Sequence, residues 1–422
     1  MQEPVRMIAP GVRRSQARWI FLGLAFLATV INYLDRQTLS VIAPVLRTQL
    51  HFGDVDYSRI VGAFLLAYTI ANAVSGWLID RTGTKWGYAI CMLWWSAASV
   101  LHVLARSAAS LGVCRFLLGI GEAGNWPAAV KVVSEWFPVK DRALASGIFN
   151  SGSSIGALLA PPLVAAITLH FGWPSAFLSI GLLGFIWAAV WLRIYRMPAP
   201  TSTTAALPRT KRPSFGLIRD RFVWSLLLAK IFFDPAWYFY IFWIPQYLSS
   251  ARHFNLVEIG LVAWIPYLAA DIGNLAGGAF YIALLRLRIS LPAARKISLV
   301  TFAALMTAAI PAVLATTSSV SIAFVSVATF GYTGCLANML ALPGDFYPSE
   351  VLGSIWGLAS TGAGFGGMLF SLITGWAIAR FSYVPVFFGF GVMPLVSAAI
   401  LLTITTRCAS PLALIKQKET AG

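Results

Sequence analysis

Four charged side chains stand where charge is unfavourable. Asp35 and Arg36 fall within one long apolar stretch, Trp19 to Leu46, and Arg115 and Glu122 fall within another, 108–136. An ionisable group at hydrocarbon depth is costly, and a substrate, an ion or a proton path is the usual reason for it. Arg36 is a permanent cation whose planar fork can hold a carboxylate through two hydrogen bonds. It is the candidate anchor for an anionic solute; the alternative is a salt bridge to an acid on a neighbouring helix. Glu122 follows Arg115 by seven residues, two turns and about 10 Å along one helix face. Burial and a nearby arginine pull the protonation of a carboxyl group in opposite directions. A group held between them can exchange a proton as solvent access changes, with Arg115 as the expected charge partner of Glu122. The alternative is a buried pair that only fixes helix packing.

The elements that must hold these groups are membrane helices. Of the 422 residues 58% are hydrophobic and 11% charged, where a soluble chain carries about 25% charged residues; the mean hydropathy is +0.76. The apolar runs are about 20 residues or longer, enough to cross a bilayer as helices. Twelve are expected, at 19–46, 58–79, 86–105, 108–136, 142–168, 173–195, 222–249, 257–285, 297–316, 319–341, 353–379 and 384–405. The expected class is therefore an all-α polytopic membrane protein, and a soluble protein with buried helices is excluded at this count.

The net charge of +16 raises the possibility of nucleic acid, and its placement argues against that. With the N-terminus in the cytoplasm, 22 of the 31 Lys and Arg fall in cytoplasmic segments, five outside (Arg47, Arg59, Arg106, Arg252, Arg380) and four within spans (Arg36, Arg115, Lys131, Lys230). This is the positive-inside pattern, and it sets both termini in the cytoplasm; attraction to anionic lipid is secondary. Cys91, Cys114, Cys335 and Cys408 show no CxxC spacing and read as small apolar residues, with no metal site. No cleavable signal pattern is present.

The polar interval 196–221, with four prolines, a Thr/Ser cluster and many bases, reads as a cytoplasmic linker. It separates a half at 19–195 from a half at 222–405, between termini at 1–18 and 406–422. Two six-helix halves of three-helix repeats are a common carrier design, with the solute site at the midplane between them. Gly152, Gly156, Gly362, Gly364, Gly366 and Gly367 let helices approach closely, and Pro161 and Pro162 stand in the same class of packing or hinge positions. No HExxH, P-loop or nucleophile–base motif is present, so an enzyme is not expected. No cofactor is implied. A carrier for an acidic solute, coupled to a cation, is the reading these charges favour; a sensor that binds without flux has no appended domain to support it.

The loop Gly76-Trp-Leu-Ile-Asp80-Arg81-Thr-Gly83-Thr-Lys85 resembles the G-x-x-x-D-R-x-G-x-K/R signature of the major facilitator superfamily. Gly76 would permit close helix contact, Asp80 would sit against a helix N-terminus and its positive dipole end, and Arg81 and Lys85 would face the cytoplasm. As a set they are expected to gate that side. Ile31-Asn32-Tyr33-Leu34-Asp35-Arg36, the segment from Arg115 through Glu122 and Asn125-Trp126-Pro127, and the stretches Val133–Pro138 and Gly147–Gly152 resemble the anion:cation symporter family within that superfamily. The likeness is greatest to bacterial hexuronate transporters, and Asp234-Pro-Ala-Trp237-Tyr238-Phe-Tyr240 extends it into the second half.

The resemblance implies a proton-coupled symporter of sugar acids in the bacterial inner membrane. It assigns the substrate carboxylate to Arg36 and proton coupling to Asp35 and Glu122, with Arg115 as a possible second anion contact. Candidate partners for sugar hydroxyls and ring faces are Tyr33, Tyr68, Asn72, Asn125 and Asn150, with Trp237, Tyr238 and Tyr240 from the second half. Glucuronate or galacturonate is the expected substrate. Galactonate, glucarate, an aromatic or small carboxylate, and an anion exchanger remain open alternatives. Other expected partners are protons and the bilayer, with a monomeric chain.

Lys230 and Asp234 are four apart on one face and are expected to pair; Lys131 and Glu135 share that spacing and the same expectation. Asp271, near Asn274, has no evident partner. One departure weakens a galactonate-type site: some sugar-acid carriers place an amide in the eleventh span, and Gly357–Phe365 has Ser360 and Thr361 but no Asn or Gln.

Overall fold

The computed structural model describes residues 10–138, 141–196, 220–345, 347 and 349–405. Most of the expected linker, the first nine residues and the expected C-terminal segment 406–422 lie outside them. The first half contains α1 (Pro10–Leu50), α2 (Asp54–Leu101), α3 (Ala108–Glu122), α4 (Asn125–Trp136), α5 (Arg142–Phe171) and α6 (Trp173–Ile194). The second contains α7 (Arg221–Arg252), α8 (Leu256–Val262), α9 (Ile265–Arg286), α10 (Leu291–Leu305), α11 (Ala309–Leu314), α12 (Ser318–Ala341), α13 (Ser349–Arg380) and α14 (Tyr383–Thr405).

Among the described residues these fourteen helices correspond to the twelve expected spans. Three crossings are split: α3 with α4, α8 with α9, and α10 with α11. In contrast α2 holds two crossings, joined at Gly83, whose φ of 78° lies in the region only glycine adopts without strain. The chain doubles back there, because a Cβ on Gly87 would lie 2.9 Å from the Cα of Ile79.

Ten helical stretches among the described residues are long and apolar enough to span a bilayer. The two expected spans outside that set are helical as well. The span at 58–79 continues a helix that opens on Asp54, Asp56 and Arg59, and that at 108–136 holds Arg115, Glu122, Lys131 and Glu135.

Each half is tied together by the same device. On α5, a Cβ at Gly152 or Gly156 would stand 2.6 Å from the carbonyl oxygen of Phe26 or Val30 on α1. On α13, a Cβ at Gly362 or Gly366 would stand 2.5 Å from the carbonyl of Leu227 or Ile231 on α7. Glycines four apart thus press one helix onto the backbone of another, at corresponding places in the two halves.

The halves meet through α1 with α7, α2 with α13, and α5 with α8. Their contacts gather at the end away from Gly83. There Arg47 pairs with Asp54 (2.7 Å) and donates to Gln246 (2.8 Å), and the Tyr57 hydroxyl donates to the Phe242 carbonyl (2.6 Å). Nearby, Gly375 packs on Ser58 and Gly260 on Ala165 so closely that a Cβ would collide. At the Gly83 end the ion pairs Arg18–Asp141 and Lys131–Asp80 join elements of one half, and among the described residues nothing lies within 4 Å of a Cβ built on Gly76, Gly147 or Gly357.

Candidate functional site

Arg36 points from the middle of α1 to Glu122, the last residue of α3. Its Nε and Nη2 both donate to Glu122 Oε2, at 3.1 and 2.9 Å, and Nη2 also reaches Asn32 Oδ1 at 3.4 Å. The Glu122 side chain is fully buried and that of Arg36 nearly so. Three rings surround the guanidinium: Tyr68 with its centroid at 4.8 Å, Tyr33 at 5.1 Å and Phe64 at 5.3 Å. Aromatic faces attract a desolvated cation, so Arg36 sits in a cage that tolerates its charge while leaving it only one carboxylate oxygen. The other oxygen, Oε1, has no hydrogen-bond partner among the described residues.

The expected pairing of Arg115 with Glu122 is not formed. Arg115 is fully buried and directs its guanidinium at main-chain oxygens of α1: Nη1 to Asp35 O (3.4 Å) and Arg36 O (3.5 Å), Nη2 to Asp35 O (3.5 Å). It lies 5.7 Å over the Phe177 ring. Arg36 reaches Glu122 from across the helix interface, and Arg115 instead braces α1. Asp35 faces away from Arg36, as adjacent helical positions must. It accepts a hydrogen bond from Ser99 in the second crossing of α2, while its Oδ2 has no partner among the described residues.

Other expected contacts divide sharply. Tyr33 and Tyr68 stand at Arg36. Asn125 does not: its Oδ1 accepts from Tyr88 (2.7 Å), its Nδ2 donates to Thr29 (3.2 Å), and it is fully buried. In this conformation its side chain ties α4 to α2 and α1. Asn72 and Asn150 are half-buried on α2 and α5, without a contact that joins them to Arg36. Trp237 and Tyr238 are half-buried, whereas Tyr240, two residues on and on the far side of α7, is fully buried in the second half.

The second half holds its own ionic cluster. Lys230 and Asp234 pair at 2.7 Å within one turn of α7, and the Tyr332 hydroxyl on α12 donates to Asp234 Oδ1 at 2.8 Å. Tyr332 stacks on Trp237 (5.1 Å between centroids, 9° between planes) and on Phe233 (4.6 Å, 16°). Asp271 on α9 is half-buried.

The loop residues also differ from expectation. Asp80 pairs with Lys131 (2.7 Å) rather than with a helix N-terminus, and Lys131 also donates to Ile79 O (3.1 Å). Lys131 therefore does not pair with Glu135, which accepts from Thr84 (2.5 Å) and Tyr195 (2.7 Å). Arg81 lies over Trp77, and the Lys85 carbonyl accepts from Trp191. Among the described residues nothing lies within 4 Å of a Cβ built on Gly76.

Sequence reasoning missed Ser99, Phe64 and Tyr332. Asn32, four residues before Arg36, carried a readable signal in its helical spacing. Ser99 and Tyr332 lie in distant crossings and have no local signal at all.

A family model for the Major Facilitator Superfamily matches residues 25–294. The hexuronate transporter of Escherichia coli K12 is 34% identical over 407 residues, covering 92% of this chain and 94% of that protein. The galacturonate transporter of Dickeya chrysanthemi is 39% identical over 277 residues, 62% of this chain and 80% of that protein. Among solved structures, a bacterial homolog of the human lysosomal transporter Spinster, in an inward-facing and occupied conformation, superposes with a TM-score of 0.72. It shares 18% identity and covers 92% of this chain and 95% of that one.

Proposed function

The chain belongs to the major facilitator superfamily, and we propose that this transporter imports a monocarboxylate sugar acid together with protons. The substrate class is a hexuronate such as glucuronate or galacturonate, the membrane is the bacterial inner membrane, and both termini face the cytoplasm. The observation that carries this reading is the Arg36–Glu122 pair, a cation and an acid from different helices that hold each other in an aromatic cage. The names of the relatives support the substrate class, and the distribution of Lys and Arg supports the orientation.

The chemistry follows from competition for one guanidinium. While Glu122 is ionised it occupies Arg36. A proton on Glu122 cancels its charge and frees Arg36 for a substrate carboxylate, which then takes the same two donors. Charge is conserved through the exchange: arginine with glutamate is neutral, and so is arginine with the anion beside a protonated acid. The loaded and the empty carrier therefore meet a similar desolvation cost as the halves rock. A cage in which the anion is well held only when closed favours closure on binding. On release to the more alkaline side, Glu122 loses its proton and retakes Arg36. Asp35, held by Ser99 on the other face of α1, is the second proton-linked acid. Asp80, Arg81, Lys85 and Gly76 form the cytoplasmic gate, and the chain works as a monomer without a cofactor.

The test is uptake of radiolabelled glucuronate and galacturonate into proteoliposomes, with and without an inward proton gradient, by wild type and Glu122→Gln. Gradient-driven accumulation in wild type, with only exchange left in the variant, is expected. Absence of uptake of either sugar acid by folded, monodisperse wild type would sink the hexuronate reading, and accumulation independent of the gradient would sink the coupling.

A further inference from the structure

The ion pair of the second half has no role in the exchange at Arg36. It is close to that site all the same. Phe64, whose ring lies against the Arg36 guanidinium, packs on Phe242 of α7 at 6.0 Å between centroids, and Phe242 stacks on Tyr238 at 6.3 Å, one turn from Asp234. The two clusters are thus joined across the boundary between the halves by a run of aromatic side chains. Trp237 and Tyr238, on the same turns of α7, are half-buried, and the Lys230 and Asp234 side chains are each 8% exposed.

The bonding capacity of this pair is only partly used. An ammonium has three donors and a carboxylate about four acceptor positions. Lys230 gives Asp234 one ionic contact, at Oδ2, and the hydrogen bond that Asp234 accepts comes from Tyr332, at Oδ1. Spare donors and spare acceptors therefore sit side by side on a unit with no net charge. An anion is a poor fit, because it would have to displace Asp234 from Lys230 against the charge of that acid. A vicinal diol fits well, since each hydroxyl both donates and accepts. Half-buried Trp237, held by its stack on Tyr332, supplies the apolar face that the C–H side of a sugar ring prefers.

We propose that Lys230, Asp234 and Tyr332, with Trp237 beside them, form a polyol-reading subsite that binds the hydroxyl-bearing end of the solute whose carboxylate is held at Arg36. This deepens the hexuronate reading and rests on it. Affinity for the substrate then has two separable parts, a carboxylate part in the first half and a hydroxyl part in the second.

The experiment measures binding to the full-length purified carrier of two probes, glucuronate and cyclohexanecarboxylate, which share a six-membered ring and one carboxylate but differ in hydroxyls. Wild type is compared with Tyr332→Phe and with the double variant Lys230→Met/Asp234→Leu. Removing both partners avoids a lone buried charge, and apolar replacement of a buried pair is commonly tolerated by the fold. Wild type is expected to prefer glucuronate. In the double variant that preference falls about tenfold or more, the scale of one or two hydrogen bonds to a charged group, while cyclohexanecarboxylate binds as before. Tyr332→Phe gives a smaller loss in the same direction. An unchanged preference in the double variant, or an equal loss for both probes, overturns the subsite and leaves the hexuronate reading intact. Failure of wild type to bind glucuronate overturns both.

Discussion

The two ion pairs differ in what they connect. Arg36 and Glu122 are 86 positions apart and belong to two helices, so their bond depends on how α1 sits against α3. Lys230 and Asp234 are one turn apart on α7 and travel together whatever that helix does. A bond between elements can be traded when the elements shift or a proton arrives; a bond within an element is a fixed surface. The first arrangement suits coupling and the second suits recognition, although each is a base facing an acid.

Breaking the interhelical pair at the base has the largest expected effect. Arg36→Ala should lower the specificity constant for uptake by about 100-fold or more, because it strips the carboxylate of its charged partner and leaves Glu122 buried and alone. The checking measurement is initial rates against substrate concentration, with surface expression held equal. Residual high-affinity uptake would place the carboxylate elsewhere. Glu122→Gln comes next: the amide cannot carry the exchanged proton, so net accumulation should disappear while counterflow of preloaded substrate continues. An unaltered pH response of net uptake would remove Glu122 from the coupling.

The intrahelical pair answers to a sharper probe. Asp234→Asn releases Lys230 as a free cation and removes the charge that repels a second carboxylate. Competition by glucarate, a dicarboxylate of the same carbon number, should then improve by about tenfold as hexuronate affinity falls. A variant that loses both alike would show the pair to be structural. The smallest effect is expected far from either pair. Lys131→Met breaks a partly exposed contact with Asp80, and such contacts contribute at most about 1 kcal/mol. Uptake should change by no more than about fivefold.

Most of the architecture was legible because hydropathy alone marks a membrane crossing, and the twelve expected spans coincide with helical segments. Local spacing also found Lys230–Asp234, since residues four apart on a helix are neighbours by construction. The same rule misled at Lys131, which has a nearer acid in Asp80 on another helix. It misled at Arg115 too, where distance along one helix said nothing about α1 lying alongside. Contacts such as Arg36–Glu122, Asp35–Ser99 and Asp234–Tyr332 arise from how crossings pack, and no spacing in the chain encodes them. Asn125 shows the limit most plainly, for an amide inside a striking motif proves to be tied to Tyr88 and Thr29.

The brace from Arg115 to the main chain of α1 bears on how such a carrier can change over generations. Carbonyl oxygens are present whatever residue occupies a position. A substitution at Asp35 or Arg36 therefore leaves the acceptors of that brace in place, and α1 keeps its seat against α3. Positions 35 and 36 are in this sense separated from the scaffold: the proposed anion anchor and its neighbouring acid can be altered one at a time while the brace that seats α1 keeps its acceptors. A lineage that acquires a new cargo, or a laboratory selecting for one, has more freedom at those two positions than their depth in the protein would indicate.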